Sequence, residues 1–412
     1  MPKKTGFVNI KDCSRYEAIY TAMETKVKAL CQNELLFLRE AEQDAPSVAV
    51  QWRNCRIEVV KTHKPESYMS WLRACTEANI MLHLRAEDAE GVCSVKLYQC
   101  ELIGDDGNPL PEFEANELLD AVNPFKLAKR DRNDVDKRIK KGIQKIQAKA
   151  EKIILTMEYG VPLREFQNKQ KSITEPKQKI LMLFQSLEHL HCVGIVHEDI
   201  KGSNIALVKR ANKVVPVFFD YDVSAFQNHT LIPYAAWNGC TDYYQSPEQA
   251  GDTVYEDLLL DAEGRLPLTQ KTDVYSMAVI AFELMGTALP KDRSKREQFA
   301  RAYAETSQVY AVLAEATEMY PDDRSTAQRV VEELTRHEPR NKQPDFETDG
   351  GRGIILRNTV SAILIAVVAI AGIIAGVKLF SMFLSGNTQS ANVHDAVVLI
   401  DELPQREIRM IV

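Results

Sequence analysis

Between Gly6 and Gly91 the chain contains no glycine. Glycine lets backbone N–H groups close on a phosphate with no Cβ in the way, so that stretch holds no glycine-rich anion cradle. Paired metal-site cysteines are missing too. The eight cysteines (13, 31, 55, 75, 93, 100, 192, 240) form no CxxC pair and show no His/Cys spacing of a zinc site. Buried, reduced thiols are the expected reading. Positive charge is not in excess: a net charge of −7 argues against a nucleic-acid partner, which needs a basic footprint. The opening MPKKTGFVNIKD lacks the apolar stretch of a secretory signal.

What is present is ordinary globular protein, 45% apolar and 26% charged, in a chain of 412 residues that is too long for one typical domain. One apolar run stands apart. Residues 359–377, TVSAILIAVVAIAGIIAGV, carry no charge, and apolar character resumes after Lys378 through LFSMFL. About 20 such residues span a bilayer as a helix, so 359–384 is expected to be a single membrane span. Arg340, Lys342, Arg352 and Arg357 precede it and only Lys378 follows closely. The positive-inside rule then places the large N-terminal part in the cytoplasm and the tail 385–412 on the non-cytoplasmic side. Gly372 and Gly376 form a GxxxG, a route to a homodimer through this helix.

Alternating and β-branched residues predict strands at ELLFL, SVAVQW and RIEVVK within 34–61, then at 92–104 and 151–160. A helix is predicted between, from about Tyr68 to Leu84. Helical periodicity dominates 175–192, 270–287, 296–315 and 325–336. A small β-rich part thus precedes a larger helical one. An insertion at about 105–150 separates the last two strands; its residues 126–152 carry eleven basic against four acidic groups. That segment reads either as a solvated helix or as a patch touching anionic lipid headgroups.

The strongest chemical signal is His197-Glu198-Asp199-Ile200-Lys201-Gly202-Ser203-Asn204. On one loop, a carboxylate can take a proton from a hydroxyl, an ammonium can neutralise a phosphate, and an amide oxygen can hold a metal ion. Sixteen residues past Asn204, the apolar VFF ends in Asp220, a second oxygen ligand for magnesium.

At these residues the sequence resembles the eukaryotic-type serine/threonine protein kinase family over about 30–337. The resemblance implies an α+β, bilobal kinase-like fold, ATP and Mg2+ as cofactors, and protein substrates. It makes Asp199 the base, places Lys201 on the γ-phosphate, and assigns Asn204 and Asp220 to metal. Lys61 matches the lysine on the α- and β-phosphates, and Glu77 its ion-pair partner, with Glu66 a competitor for that role. A pairing of Lys28 with Glu34 leaves no room upstream for the first two strands. Glu158-Tyr159-Gly160 resembles the adenine-binding hinge, with Met157 as gatekeeper. Ser246-Pro247-Glu248 resembles the end of the activation segment, and Thr241 the threonine that contacts the base. His197, Asp273 and Arg324 are structural, Arg324 pairing with Glu248. Lys201-Gly202-Ser203-Asn204 favours serine/threonine over tyrosine substrates.

The resemblance has three departures. REAEQDAP stands where the phosphate loop belongs, Asp222 replaces the glycine of the metal triplet, and Glu198 replaces an arginine that reads an activation-loop phosphate. A carboxylate cannot pair with phosphate, so control is expected instead through clustering at the membrane. A pseudokinase scaffold and a small-molecule kinase remain the competing readings. The expected domains are an extension 1–30, a small lobe 31–160, a large lobe 161–337, a linker 338–358, the span 359–384 and the tail 385–412.

Overall fold

The computed structural model describes residues 13–30, 35–39, 45–123, 126, 132–163, 176–211, 213–227, 242–250 and 269–336. All belong to one compact unit that extends to Arg336. The membrane span, its linker, the tail and Thr241 lie outside the described residues, as does the loop bearing Glu40, Glu42 and Asp44. Among the described residues no helix is long and apolar enough to cross a membrane.

Strands β1 (Leu36–Arg39), β2 (Ser47–Arg53), β3 (Arg56–His63), β4 (Leu97–Ile103) and β5 (Lys152–Glu158) form an antiparallel sheet in the order β1-β2-β3-β5-β4. The expected strands are all there. The fourth starts later than its apolar run because the Asp88 carboxylate captures the N–H groups of Val92, Cys93 and Ser94 and holds them as a loop. Helix α2 (Tyr68–Glu87) packs against β4 and β5. It begins at Ser67, whose hydroxyl accepts from the Ser70 N–H while Ser70 Oγ accepts from the Ser67 N–H, a capping box that fixes where the helix enters.

Two elements escaped the sequence reading. Helix α1 (Cys13–Leu30) covers β2 and β3 and reaches the large lobe as well. Its Tyr20 ring lies 6.0 Å from Tyr159, and Glu17 pairs with Lys209 at 2.6 Å. Helix α3 (Glu112–Asp120) lies in the insertion, followed by α4 (Arg132–Gln147). Helix α4 is not solvated all round. Ile139, Ile143 and Ile146 are buried at helical spacing, and a Cβ on Gly142 would come within 2.4 Å of Val122 Cγ1. Its Lys137, Arg138, Lys140, Lys141 and Lys145 are exposed.

The larger lobe is built on α5 (Pro176–Cys192) and α7 (Gln270–Leu284), with α6 (Pro247–Ala250), α8 (Arg296–Ala304), α9 (Gln308–Ala316) and α10 (Ala327–Thr335). Periodicity over 296–315 reads as one helix; Ser307, which caps α9 by accepting from the Tyr310 N–H, divides it in two. Helix α7 is buried on every side from Thr272 to Phe282, as a central helix must be. Short strands β6 (Val161–Pro162), β8 (Ile205–Arg210) and β9 (Lys213–Phe218) form one sheet, and β7 (Ile195–Val196) pairs with β10 (Ala225–Phe226). The catalytic motifs sit on the turns between these strands.

Candidate active site

Strand β3 delivers Lys61, helix α2 delivers Glu77, and the turn after β9 delivers Asp220. Lys61 Nζ lies 2.7 Å from Glu77 Oε2 and 2.5 Å from Asp220 Oδ1. The expected pairing is thus the one observed. Glu66 precedes the Ser67 cap and is exposed, and Lys28 lies on α1 over the Trp52 ring at 4.1 Å. Burial disfavours the ammonium of Lys61, but Asp220 and Glu77 outweigh it and hold its pKa above the ordinary lysine value. In return Lys61 overrides burial at both carboxylates and holds each below its usual range. His63 Nε2, 2.9 Å from Glu77 Oε2, adds a second contact that the sequence reading missed. Two positions from Lys61 on the same strand face, it was visible in principle.

The loop after β7 carries Asp199. Lys201 Nζ donates to Asp199 Oδ2 at 2.8 Å, and Asn204 Nδ2 donates to the same oxygen at 2.9 Å and to the Asp199 carbonyl at 3.0 Å. Both of these side-chain donors fall on Oδ2. With its amide nitrogen consumed, Asn204 turns its amide oxygen to the other side. Burial raises the Asp199 pKa despite Lys201, the direction a proton acceptor needs. Glu198 and Asp220 hold left-handed backbone, φ 66° and 70°, strain placed at the two corners of the site.

Asp273 holds this loop from below. Its two oxygens accept from the His197 and Glu198 N–H groups, each at 2.8 Å, and His191 Nε2 lies 3.0 Å away. His197 contacts the Phe219 carbonyl at 3.1 Å and packs on Tyr221, ring centroids 5.0 Å apart. Glu198 is buried, and that burial together with Asp273 pushes its carboxyl well above the usual range. Its carbonyl accepts from Gln249 Nε2 at 2.7 Å, a link from α6 that sequence reasoning did not find.

Arg324 and Glu248 form the expected buried pair, 2.5 and 2.7 Å, and Thr272 Oγ1 donates to Glu248 at 3.1 Å. The Ser246 N–H donates to Gln249 Oε1, and Pro247 opens α6. At the hinge, Met157 is buried and the Glu158 carboxylate is turned onto Arg210 in a two-point pair at 2.6 Å. Gly160 is needed for space, since a Cβ there would come within 2.6 Å of Ala206 Cβ. Of the predicted site residues only Thr241 lies outside the described set; Lys61, Glu77, Asp199, Lys201, Asn204 and Asp220 meet in one place.

Asp222, half-buried beside them, is pushed up to about 7 by burial and by the Asp220 charge. Asp220, Asp222 and the Asn204 amide supply only oxygen, a hard donor set that suits magnesium rather than a thiophilic metal.

A two-lobed fold with a lysine–glutamate pair above a carboxylate–lysine–asparagine loop defines a phosphotransferase-type architecture. A model of the protein kinase domain matches residues 138–343, half of the chain, and the chain belongs to that family. The match begins after Lys61 and Glu77, so their assignment rests on the geometry. The chain is 28% identical over 190 residues to "Kinase suppressor of Ras B" of Caenorhabditis elegans, covering 40% of this chain and 33% of that protein. It is 23% identical over 196 residues to "Serine/threonine-protein kinase Nek5" of Homo sapiens, covering 44% and 25%. To "Serine/threonine-protein kinase PrkC" of Bacillus subtilis it is 29% identical over 143 residues, covering 34% and 19%. The chain thus spans a third or less of the length of these relatives.

Proposed function

We propose that the chain is a magnesium- and ATP-dependent protein kinase for serine and threonine hydroxyls, held at a membrane by residues 359–384. The carrying observation is Lys61, which joins Glu77 and Asp220 in one cluster beside Asp199. When bound, ATP with Mg2+ supplies the transferable γ-phosphoryl group and neutralises its charge.

Asp220 and the Asn204 amide oxygen would hold the metal, with Lys61 on the α- and β-phosphates. Met157, Glu158 and Gly160 would border the adenine. Asp199 Oδ1 is placed to take the proton of an incoming hydroxyl, and Lys201, already beside Asp199, neutralises charge on the transferred group. The tether rests on the uncharged run 359–377 and the basic residues before it. It would leave the kinase unit on the cytoplasmic side and the tail 385–412 on the other, with lipid as a partner and self-association through Gly372 and Gly376.

A scaffold without transfer is the second reading, favoured by REAEQDAP standing where phosphate-contacting glycines belong. The full chain in vesicles, given Mg2+ and γ-labelled ATP with a mixed protein substrate, separates the two. Label on serine and threonine, absent from Asp199→Asn, is the expected result. Nucleotide binding without transfer would establish the scaffold, and label on tyrosine would overturn the substrate class.

A further inference from the structure

Apart from the phosphotransfer residues, a second cluster forms where α2 ends. Asp88 is the C-cap of α2, Cys93 lies in the loop that follows, and His189 stands in the last turn of α5. One ligand-type atom from each lies within 4.8 Å of the others. Spacing in the sequence excluded a zinc motif because the three come from segments joined only by the fold.

The distances carry information. His189 Nε2 is 3.5 Å from Asp88 Oδ1, and Cys93 Sγ is 3.3 Å from Asp88 Oδ2. The first is long for a charge-assisted hydrogen bond. Two ligands of one tetrahedral zinc, with metal bonds of about 2.0–2.3 Å, stand about 3.3–3.5 Å apart. The two contacts, which run to different oxygens of Asp88, have about that spacing. Asp88 and Cys93 are buried, whereas the His189 side chain is 34% exposed, so one side is open for entry. Asp88 Oδ1 accepts from the Val92 N–H at 2.7 Å, which orients the carboxylate as outer partners orient metal ligands.

We propose that Asp88, Cys93 and His189 bind one thiophilic divalent cation of the zinc class, with solvent on the open side completing the coordination. The mixed oxygen, sulfur and nitrogen set suits zinc and is unlike the oxygen-only set around Asp220. Binding releases the Cys93 proton to solvent and forms the metal–thiolate bond, with no change of oxidation state. The ion would staple the end of α2, which carries Glu77, to the end of α5. The same loop also pairs with β9, through Phe218 N–H to Cys93 carbonyl at 2.8 Å, one turn before Asp220. The inference does not depend on phosphotransfer.

The test uses the full chain, stripped by a chelator and titrated with Co2+ and then Zn2+. One equivalent should give visible d–d bands of tetrahedral cobalt and a thiolate charge-transfer band, both displaced by Zn2+. Zn2+ should raise the thermal midpoint. Cys93→Ser should abolish the charge-transfer band, and His189→Ala, at a partly exposed position, should weaken binding by more than the roughly 10–100-fold that loss of an outer partner costs. Cys55→Ser, at an exposed thiol elsewhere, should leave both unchanged. Absence of stoichiometric binding, or bands that persist in His189→Ala with unaltered affinity, would overturn the proposal even if Cys93→Ser fails to fold.

Discussion

Two sets of partly or fully buried carboxylates around the site are driven in opposite directions. Glu77 and Asp220 face Lys61 and are held below their ordinary range; Glu198 and Asp222 face other acids and are pushed above it. Burial alone opposes ionisation in all four, so the partner decides the outcome. The first set is an ion cluster around Lys61. The second replaces an arginine and a glycine of the family pattern with acids, one buried and one half-buried. The family's polar machinery therefore survives in the cleft while its charge balance beneath the loop is changed.

The largest break in this comparison is Lys61→Met. It leaves Glu77 and Asp220 facing each other with no cation between them. Loss of one partner of a buried pair costs about 3–5 kcal/mol, so the unfolding midpoint should fall steeply and nucleotide affinity should disappear with it. Arg324→Ala removes the partner of Glu248, buried in the large lobe. A loss of similar size, about 3–5 kcal/mol, should appear in unfolding. If the cleft cluster has its own role, the folded fraction of this variant should still bind nucleotide. Equal loss of binding in the two variants would merge what the comparison separates.

A smaller effect sharpens the second set. Asp222 has a folded pKa of about 7 against an ordinary 3.8. The folded state keeps a proton the unfolded chain has already lost, so stability falls as pH rises from about 4 to 7. Asp222→Asn removes that slope. It should match the parent near pH 4 and exceed it at pH 8 by on the order of 1 kcal/mol, read from denaturant midpoints at both values. Glu77 and Asp220 have the reverse sign: their contribution is present above the unfolded carboxylate range and is lost in acid. The smallest effect belongs to Arg301, exposed and bridging Glu297 and Glu318. Arg301→Ala should leave the midpoint unmoved, since solvent screens such pairs.

The resemblance to the family made much of this legible. Lys61 to Glu77, Asp199 to Asn204, and the apolar strand leading to Asp220 lie within single elements or adjacent ones, where period and order carry over directly into geometry. Contacts that depend on how distant elements pack were legible only where the family pattern carries them, as for Glu248 and Arg324. Gln249 on the Glu198 carbonyl, Arg210 on Glu158, and the Asp88–Cys93–His189 cluster each join segments that nothing in the linear order pairs. Helix α1 was missed for another reason: Tyr16, Ile19, Tyr20, Met23 and Val27 do recur at helical spacing and pack on the core, but they lie ahead of the region that the family resemblance covers. The isoleucines of α4 also form an apolar stripe, hidden among eleven basic residues over 126–152.

The central claim is that Asp199 and Asp220 act on one phosphoryl group. It is tested most directly by label transfer from γ-labelled ATP with the full chain, Asp199→Asn and Asp220→Asn side by side. The account predicts transfer by the parent, a drop of about 10²–10⁴-fold in Asp199→Asn with nucleotide still bound, and loss of both metal-dependent binding and transfer in Asp220→Asn. Transfer undiminished in either variant would contradict it.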